Sequence, residues 1–320
     1  MKKVAIIGAG TMGHGMALAF AMGGYHVALH DIAPEMLTQA QKLNEANLQV
    51  LVNEGFFDSA QCEVVLRERI RYTGDLADAL SGADLVTEAI IEKADAKKEL
   101  FKELDRLAPP DAILASNTSY LDIFRFIETE RPDKVLITHW FAPPHIIPLV
   151  EIVVGPETSI ETTETVQGIL ESLGKETIVL EKFLPGFIVN RLQSAITREV
   201  YFLIDNGYAL PKDIDRVAKI SFGLRTPILG LVQRLDFNGL DIVQRNLQNK
   251  SYEQPPWSNN SKFLDALVSE GKLGVKSGQG FYDYRDKGIE ETLKDRDTKL
   301  LQLKRFLLSC QVDKGLIKSF

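Results

Sequence analysis

Along the first half of the chain, short apolar runs alternate with longer stretches in which apolar residues recur every three or four positions. Val4–Ile7 reads as a buried strand, and Met12–Met22 as a helix closed by Gly23 and Gly24. His26–His30 reads as a second strand. From Pro34 to about Val52, the stripe Met36, Ala40, Leu43, Ala46 and Val50 predicts an amphipathic helix. A further helix is expected over Ser59–Arg69, then Ala96–Leu107 and Glu161–Leu173. Strands are expected at Asp84–Ala89, Ala112–Ala115, Val135–His139, Leu149–Val154 and Thr177–Leu180. Short, wholly apolar strands between helices imply an α/β fold, a doubly wound and mostly parallel sheet covered on both faces.

After Leu184-Pro185-Gly186 the strand pattern stops. Helical spacing takes over at Val189–Asn206, Lys212–Lys219, Pro227–Leu247 and Lys262–Glu270. Gly274–Tyr284 is a glycine-rich closing loop. Beyond it, Leu300, Leu303 and Leu307 share one helical face beside Phe306, as in a packing or dimer helix. The pattern divides the chain into an α/β domain, residues 1–185, and an all-helical C-terminal domain, residues 186–320. A length of 320 residues agrees with two domains.

Composition narrows the partners. A net charge of −7 with no long basic run argues against nucleic acid or an anionic membrane. Cys62 and Cys310 make no metal-site spacing and suit a reducing compartment, so the cytoplasm is expected. MKKVAIIG resembles a short secretory signal, but glycines end its apolar run after Ile7, and a glycine turn explains it better.

That turn is the first chemical motif. Gly8-Ala9-Gly10-Thr11-Met12-Gly13 is GxGxxG, placed after a strand and opening a helix, with Asp31 ending the next strand. Such a unit binds a dinucleotide. Gly8 makes the tight turn, Gly10 admits the pyrophosphate, and Gly13 lets helix and sheet pack closely. The free N–H groups of the helix N-terminus, around Thr11 and Met12, meet the phosphates. Asp31 accepts hydrogen bonds from a ribose 2′-OH and repels a 2′-phosphate, and Ile32 and Ala33 supply no arginine. The cofactor expected is therefore NAD on a Rossmann-like domain.

The second motif is THWFAPPHIIPLVEI. His139 follows the apolar run Val135–Thr138, and Glu151 lies twelve residues on in LVEIVV. Taken alone, the pair reads as a satisfied core histidine beside an unrelated edge carboxylate rather than as two halves of one site.

Joined by VTEAIIEKADAKKELFKELD, ASNTSYLDI and PGFIVNRLQ, these segments resemble the 3-hydroxyacyl-CoA dehydrogenase family, from Lys3 to about Tyr284. That family includes L-gulonate dehydrogenases (lambda-crystallins), carnitine dehydrogenases and hydroxymethyl-pyridine acid dehydrogenases. The resemblance implies that His139 is the catalytic histidine and Glu151 its paired carboxylate. It implies that Ser119 and Asn190 hold the substrate oxygen, and that Glu92, Lys97, Asn117 and Lys276 contact the cofactor. The chemistry agrees. Oxidising a secondary alcohol needs a base near neutral pH, a group fixing its tautomer, and donors for an oxygen gaining charge. On this reading His139 and Glu151 end neighbouring strands, and the prolines between them form a rigid loop on the nicotinamide side.

Three departures concern the substrate. Asn47 and Glu54 stand where the CoA enzymes carry a serine and a CoA-contacting lysine, and an acid there disfavours the CoA phosphates. Ala142 replaces the family's asparagine three residues after the histidine. APPHIIP is closer to the non-CoA branches. Arg225 falls where gulonate-type members place a basic residue, which suits a substrate carboxylate, although a plain surface arginine fits equally. The expected activity is NAD-dependent interconversion of a 3-hydroxyacyl-type alcohol and its ketone. The alternatives are oxidation of a free hydroxy acid (gulonate-like or a pyridine carboxylate) and a non-catalytic NAD(H)-binding, crystallin-like role. A homodimer is expected.

Overall fold

The computed structural model describes residues 3–249, 255–256, 258 and 260–310; Met1 and Lys2 of the N-terminal run lie outside them. Eight strands form one sheet: β1 Lys3–Ile7, β2 His26–His30, β3 Ile70–Thr73, β4 Leu85–Glu88, β5 Ile113–Ser116, β6 Val135–Trp140, β7 Leu149–Val154 and β8 Glu176–Leu180. Their order is β3-β2-β1-β4-β5-β6-β7-β8. Every pair is parallel except β6 with β7, which is antiparallel. The doubly wound, mostly parallel sheet read from the apolar runs is therefore present. β4, β5 and β6 are buried at every position, as strands covered on both faces must be.

Helices α1 Gly13–Met22, α2 Pro34–Asn53, α3 Leu76–Leu80, α4 Ala94–Leu107 and α5 Ile160–Ser172 connect the strands. Phe101 and Leu104 of α4 pack with Leu114, Ile137, Val153 and Phe187 in one buried cluster. Because the strand order reverses at β1 and β4, the connections leave in opposite directions there. A crevice at the carboxyl ends of these strands is where such sheets hold ligands.

Two expected elements differ. Ser59–Arg69 is not one α-helix: a 3₁₀ turn at Ser59–Gln61 passes into a π-helical turn at Val64–Arg69. It then runs directly into β3, whose half-exposed IRYT pattern belongs to an edge strand and carries a weak apolar signal. The Pro227–Leu247 stretch is three helices, α8 Gly223–Leu229, α9 Gln233–Asn238 and α10 Leu240–Asn249. Gly230 (φ 66°) and Gly239 (φ 86°) turn left-handed between them and end each helix.

The chain divides into two compact units, Met1–Arg191 and Leu192–Phe320. The first carries the sheet and the opening turn of α6 Val189–Asp205. The second contains the rest of α6, α7 Pro211–Val217, α8 to α10, α11 Lys262–Ser269 and α12 Gly288–Ser309. Helices α6 to α11 contain no buried residue among those described. Leu192, Ile196, Ile220, Phe222, Leu224 and Phe237 are exposed. No described helix is long and apolar enough to cross a membrane.

Candidate active site

The glycine turn between β1 and α1 has the geometry that a dinucleotide requires. Gly8 has φ +107°, and a Cβ there would lie 2.6 Å from the carbonyl oxygen of Ala89. A Cβ on Gly13 would lie 1.7 Å from the oxygen of Gly8, so only glycine lets α1 start so close to the turn. A Cβ on Gly10 would meet nothing within 4 Å, which leaves that face open for a pyrophosphate. No side chain caps the N-terminus of α1, as suits a helix start that receives phosphate. Asp31, just past β2, is fixed by two backbone donors: Oδ2 accepts from Ala9 at 2.8 Å and Oδ1 from Ala33 at 3.0 Å. Each oxygen keeps a lone pair for a ribose hydroxyl. The residues present fit NAD.

His139 and Glu151 meet because β6 and β7 run antiparallel and pair them directly across the ladder. His139 Nδ1 lies 2.8 Å from Glu151 Oε2. The other carboxylate oxygen accepts from the backbone N–H of Ile188 at 2.9 Å and of Val189 at 3.0 Å, at the start of α6. That contact neutralises free donors of the helix N-terminus. Asn190 Nδ2 stands 3.5 Å from His139 Nε2. A neutral imidazole protonated on Nδ1 satisfies both neighbours, leaving the Nε2 lone pair on the Asn190 side. Phe141 and Phe187 pack against the ring, with centroids at 4.6 and 5.2 Å. Both His139 and Glu151 are buried.

The SNTS loop follows β5. Asn117 bridges strands: its N–H donates to the Glu88 carbonyl at 2.8 Å, and its Oδ1 accepts from Trp140 N–H at 2.9 Å, next to His139. Glu92 Oε1 accepts from Thr118 Oγ1 (2.6 Å) and from the N–H groups of Ser119 (2.9 Å) and Tyr120 (3.0 Å). Burial pushes the Glu92 carboxyl up. The Thr118 hydroxyl, the Lys97 ammonium and the two backbone donors outweigh it and hold it below the usual range.

Lys97 is not part of a solvated charged face. Its side chain is 1% exposed, with Nζ 2.6 Å from Glu88 Oε1 and 3.3 Å from Glu92 Oε2. Glu88 was not among the residues singled out from the sequence. A carboxylate inside the apolar run DLVTEAII is the signal that marks it, since a buried charge demands a partner. Ala142 is exposed in the loop after β6. Glu54 caps the C-terminus of α2, and Asn47 lies on the same helix.

Arg225 and Lys276 belong to the second unit. Arg225, on α8, is exposed and donates to Ser221 Oγ at 3.0 Å. Lys276 lies in a 3₁₀ turn at Val275–Ser277.

Comparison with known proteins gives the family of the chain. Residues 3–183 match the model of the 3-hydroxyacyl-CoA dehydrogenase NAD-binding domain, and residues 186–284 match that family's C-terminal domain. The chain belongs to the 3-hydroxyacyl-CoA dehydrogenase family. It is an NAD-dependent dehydrogenase acting on a hydroxyl group. It is 33% identical over 312 residues to 5-formyl-3-hydroxy-2-methylpyridine 4-carboxylate 5-dehydrogenase of Mesorhizobium japonicum, covering 96% of this chain and 98% of that one. It is 36% identical over 295 residues to a probable 3-hydroxybutyryl-CoA dehydrogenase of Bacillus subtilis, covering 90% and 99%. Among solved structures, a 5-formyl-3-hydroxy-2-methylpyridine 4-carboxylic acid 5-dehydrogenase, described as an NAD+-dependent dismutase, superposes with a TM-score of 0.85 at 31% identity, covering 96% of this chain and 99% of that one. The (S)-3-hydroxybutyryl-CoA dehydrogenase of Ralstonia eutropha superposes with a TM-score of 0.69 at 30% identity, covering 89% and 99%.

Proposed function

We propose that the chain moves a hydride from the carbinol carbon of a hydroxy substrate to NAD, with His139 Nε2 taking the hydroxyl proton. The observation that carries this is the His139–Glu151 pair, whose 2.8 Å contact holds the proton on Nδ1 and leaves Nε2 basic. Glu151 then stabilises the imidazolium formed. Asn190, beside Nε2, and Ser119, on the loop clamped by Glu92, donate to the substrate oxygen. Gly8, Gly10, Thr11, Met12, Gly13 and Asp31 hold the adenosine and pyrophosphate, and Asn117, Glu92, Lys97 and Lys276 serve the cofactor further along. The nicotinamide supplies the hydride chemistry when bound.

For the substrate we favour a small carboxylate without CoA. Support comes from the match to the pyridine-carboxylate enzyme along nearly the whole of both chains, in sequence and in fold, and from Glu54 and Asn47 standing where the CoA enzymes carry a lysine and a serine. Arg225 supplies the carboxylate's partner on this reading, so Arg225→Ala raises KM for the acid at least tenfold with kcat within about threefold; an unchanged KM refutes that role. The second reading, a 3-hydroxyacyl-CoA substrate in fatty acid metabolism, is favoured by the 36% identity to the Bacillus subtilis protein. NADH formation with L-gulonate, a hydroxymethyl-pyridine carboxylate and 3-hydroxybutyryl-CoA in parallel decides between them. Turnover of the CoA thioester alone overturns the first reading.

We further read the chain as a cytoplasmic homodimer. The exposed apolar faces of the second unit support self-association, and two unpaired cysteines, Cys62 and Cys310, support a reducing compartment. Sedimentation as a monomer at micromolar concentration refutes the dimer.

A further inference from the structure

Glu88 ends β4 at the crevice edge and is fully buried. Its oxygens take four donors. Oε1 accepts from Ile90 N–H at 2.7 Å and from Lys97 Nζ at 2.6 Å, and Oε2 accepts from Ser116 Oγ at 2.5 Å. The fourth contact is made by its own backbone carbonyl, which accepts from Asn117 N–H. From this hub two routes reach the loop after β5. Through Lys97, Glu88 holds Glu92, whose Oε1 carries the Ser119 and Tyr120 amides. Through Ser116, whose Oγ also accepts from Thr118 N–H at 3.2 Å, it fixes the start of the same loop. The residue after Glu88, Ala89, abuts the glycine turn, since its oxygen is the atom that a Cβ on Gly8 would meet.

A buried carboxylate is expensive unless it is paired, and the partners of this one, Lys97 and Ser116, in turn contact Glu92 and the segment Thr118–Tyr120. We infer that Glu88 is a positioning residue for the cofactor: it fixes Lys97 between two carboxylates, and Lys97 in turn fixes Glu92 and the loop Asn117–Tyr120 against which the dinucleotide lies. Lys97 acts through Glu92, because its own ammonium is enclosed. Glu88→Gln keeps the shape, removes the charge that anchors Lys97, and leaves that ammonium to pull on Glu92 alone. Glu92 then competes between Lys97 and the loop amides, and the loop loses its set position.

The inference rests on NAD binding and on Glu92 as a cofactor residue, and is independent of the substrate. NADH fluorescence titration of the full chain tests it, with thermal unfolding measured alongside. Glu88→Gln raises the Kd for NADH about tenfold while Tm moves by only a few degrees. Glu92→Gln raises Kd to a similar extent, and the double variant is no more than about threefold weaker than the weaker single. A packing role alone moves Tm and leaves Kd within twofold, which overturns the inference. Independent, multiplying effects in the double variant overturn it as well. If Glu88→Gln does not fold, Glu88→Asp, which retains the charge but withdraws it from Lys97, is judged by the same Kd criteria. An unchanged Kd in Glu92→Gln would instead sink the cofactor role of Glu92; a weakened Glu92→Gln beside an unchanged Glu88→Gln sinks only the role of Glu88.

Discussion

Glu151→Gln is the sharpest test of the catalytic reading, because an amide cannot serve both sides of this carboxylate. In the native site one oxygen faces His139 Nδ1 and the other faces the N–H groups of Ile188 and Val189. A glutamine has one acceptor and one donor. If its nitrogen turns to the backbone, it confronts two N–H donors, and each buried donor left unsatisfied costs about 1–3 kcal/mol. If its oxygen turns to the backbone, the nitrogen confronts His139, and the ring must accept at Nδ1. A neutral ring that accepts at Nδ1 carries its proton on Nε2. Only one group changes partner in this second arrangement, so it is favoured by roughly 2 kcal/mol or more. Its consequence is chemical: Nε2 no longer has a lone pair for the substrate proton. A histidine locked in the wrong tautomer costs on the order of 10⁴ in rate in a serine-protease triad. A fall of 10³–10⁴ in kcat is expected here, about 4–5.5 kcal/mol in the barrier. The assay is NADH formation under saturating NAD, with NADH Kd as a control for an intact cofactor site. A kcat within tenfold of the parent, with the fold intact, would refute the assignment of His139 as base.

Other outcomes follow from the same geometry. Gly13→Ala places a methyl within 1.7 Å of the Gly8 oxygen, so α1 must move off the turn; NADH binding should fall at least a hundredfold, and an unchanged titration contradicts the cradle. Asp31→Ala removes the ribose acceptor and frees the Ala9 and Ala33 amides; NADH Kd should rise at least tenfold while discrimination against NADPH shrinks, and a retained NADH-to-NADPH ratio refutes the role of Asp31. Asp105 tests stability. Burial raises its carboxyl, but Thr129, the Glu130 amide and Arg131 together hold it below the usual aspartate range. A pKa depressed in the folded state means that its contribution is complete above the unfolded aspartate pKa and is lost as pH falls through the folded value. Asp105→Asn should therefore lower the unfolding free energy from urea titration at neutral pH by about 1–3 kcal/mol, and flatten the acid limb below pH ~4. An equal loss at neutral and acid pH would contradict this.

Local pattern alone determines much of this protein. Short apolar strands between amphipathic helices specify a covered parallel sheet. Three glycines followed by Asp31 specify a dinucleotide turn, because backbone strain and close approach are properties of the residue type. The edge strand β3 escaped because its IRYT carries little apolar contrast, and the break of Pro227–Leu247 escaped because single glycines inside a helical pattern do not announce a left-handed turn. What tertiary structure decided is partnership. Twelve residues separate His139 from Glu151, and only the antiparallel pairing of β6 with β7, inside an otherwise parallel sheet, sets them face to face. Lys97 sits among charged neighbours in sequence, yet packing of α4 encloses it between Glu88 and Glu92. Such pairings depend on strand order and helix docking, which bring together atoms that no spacing rule along the chain relates.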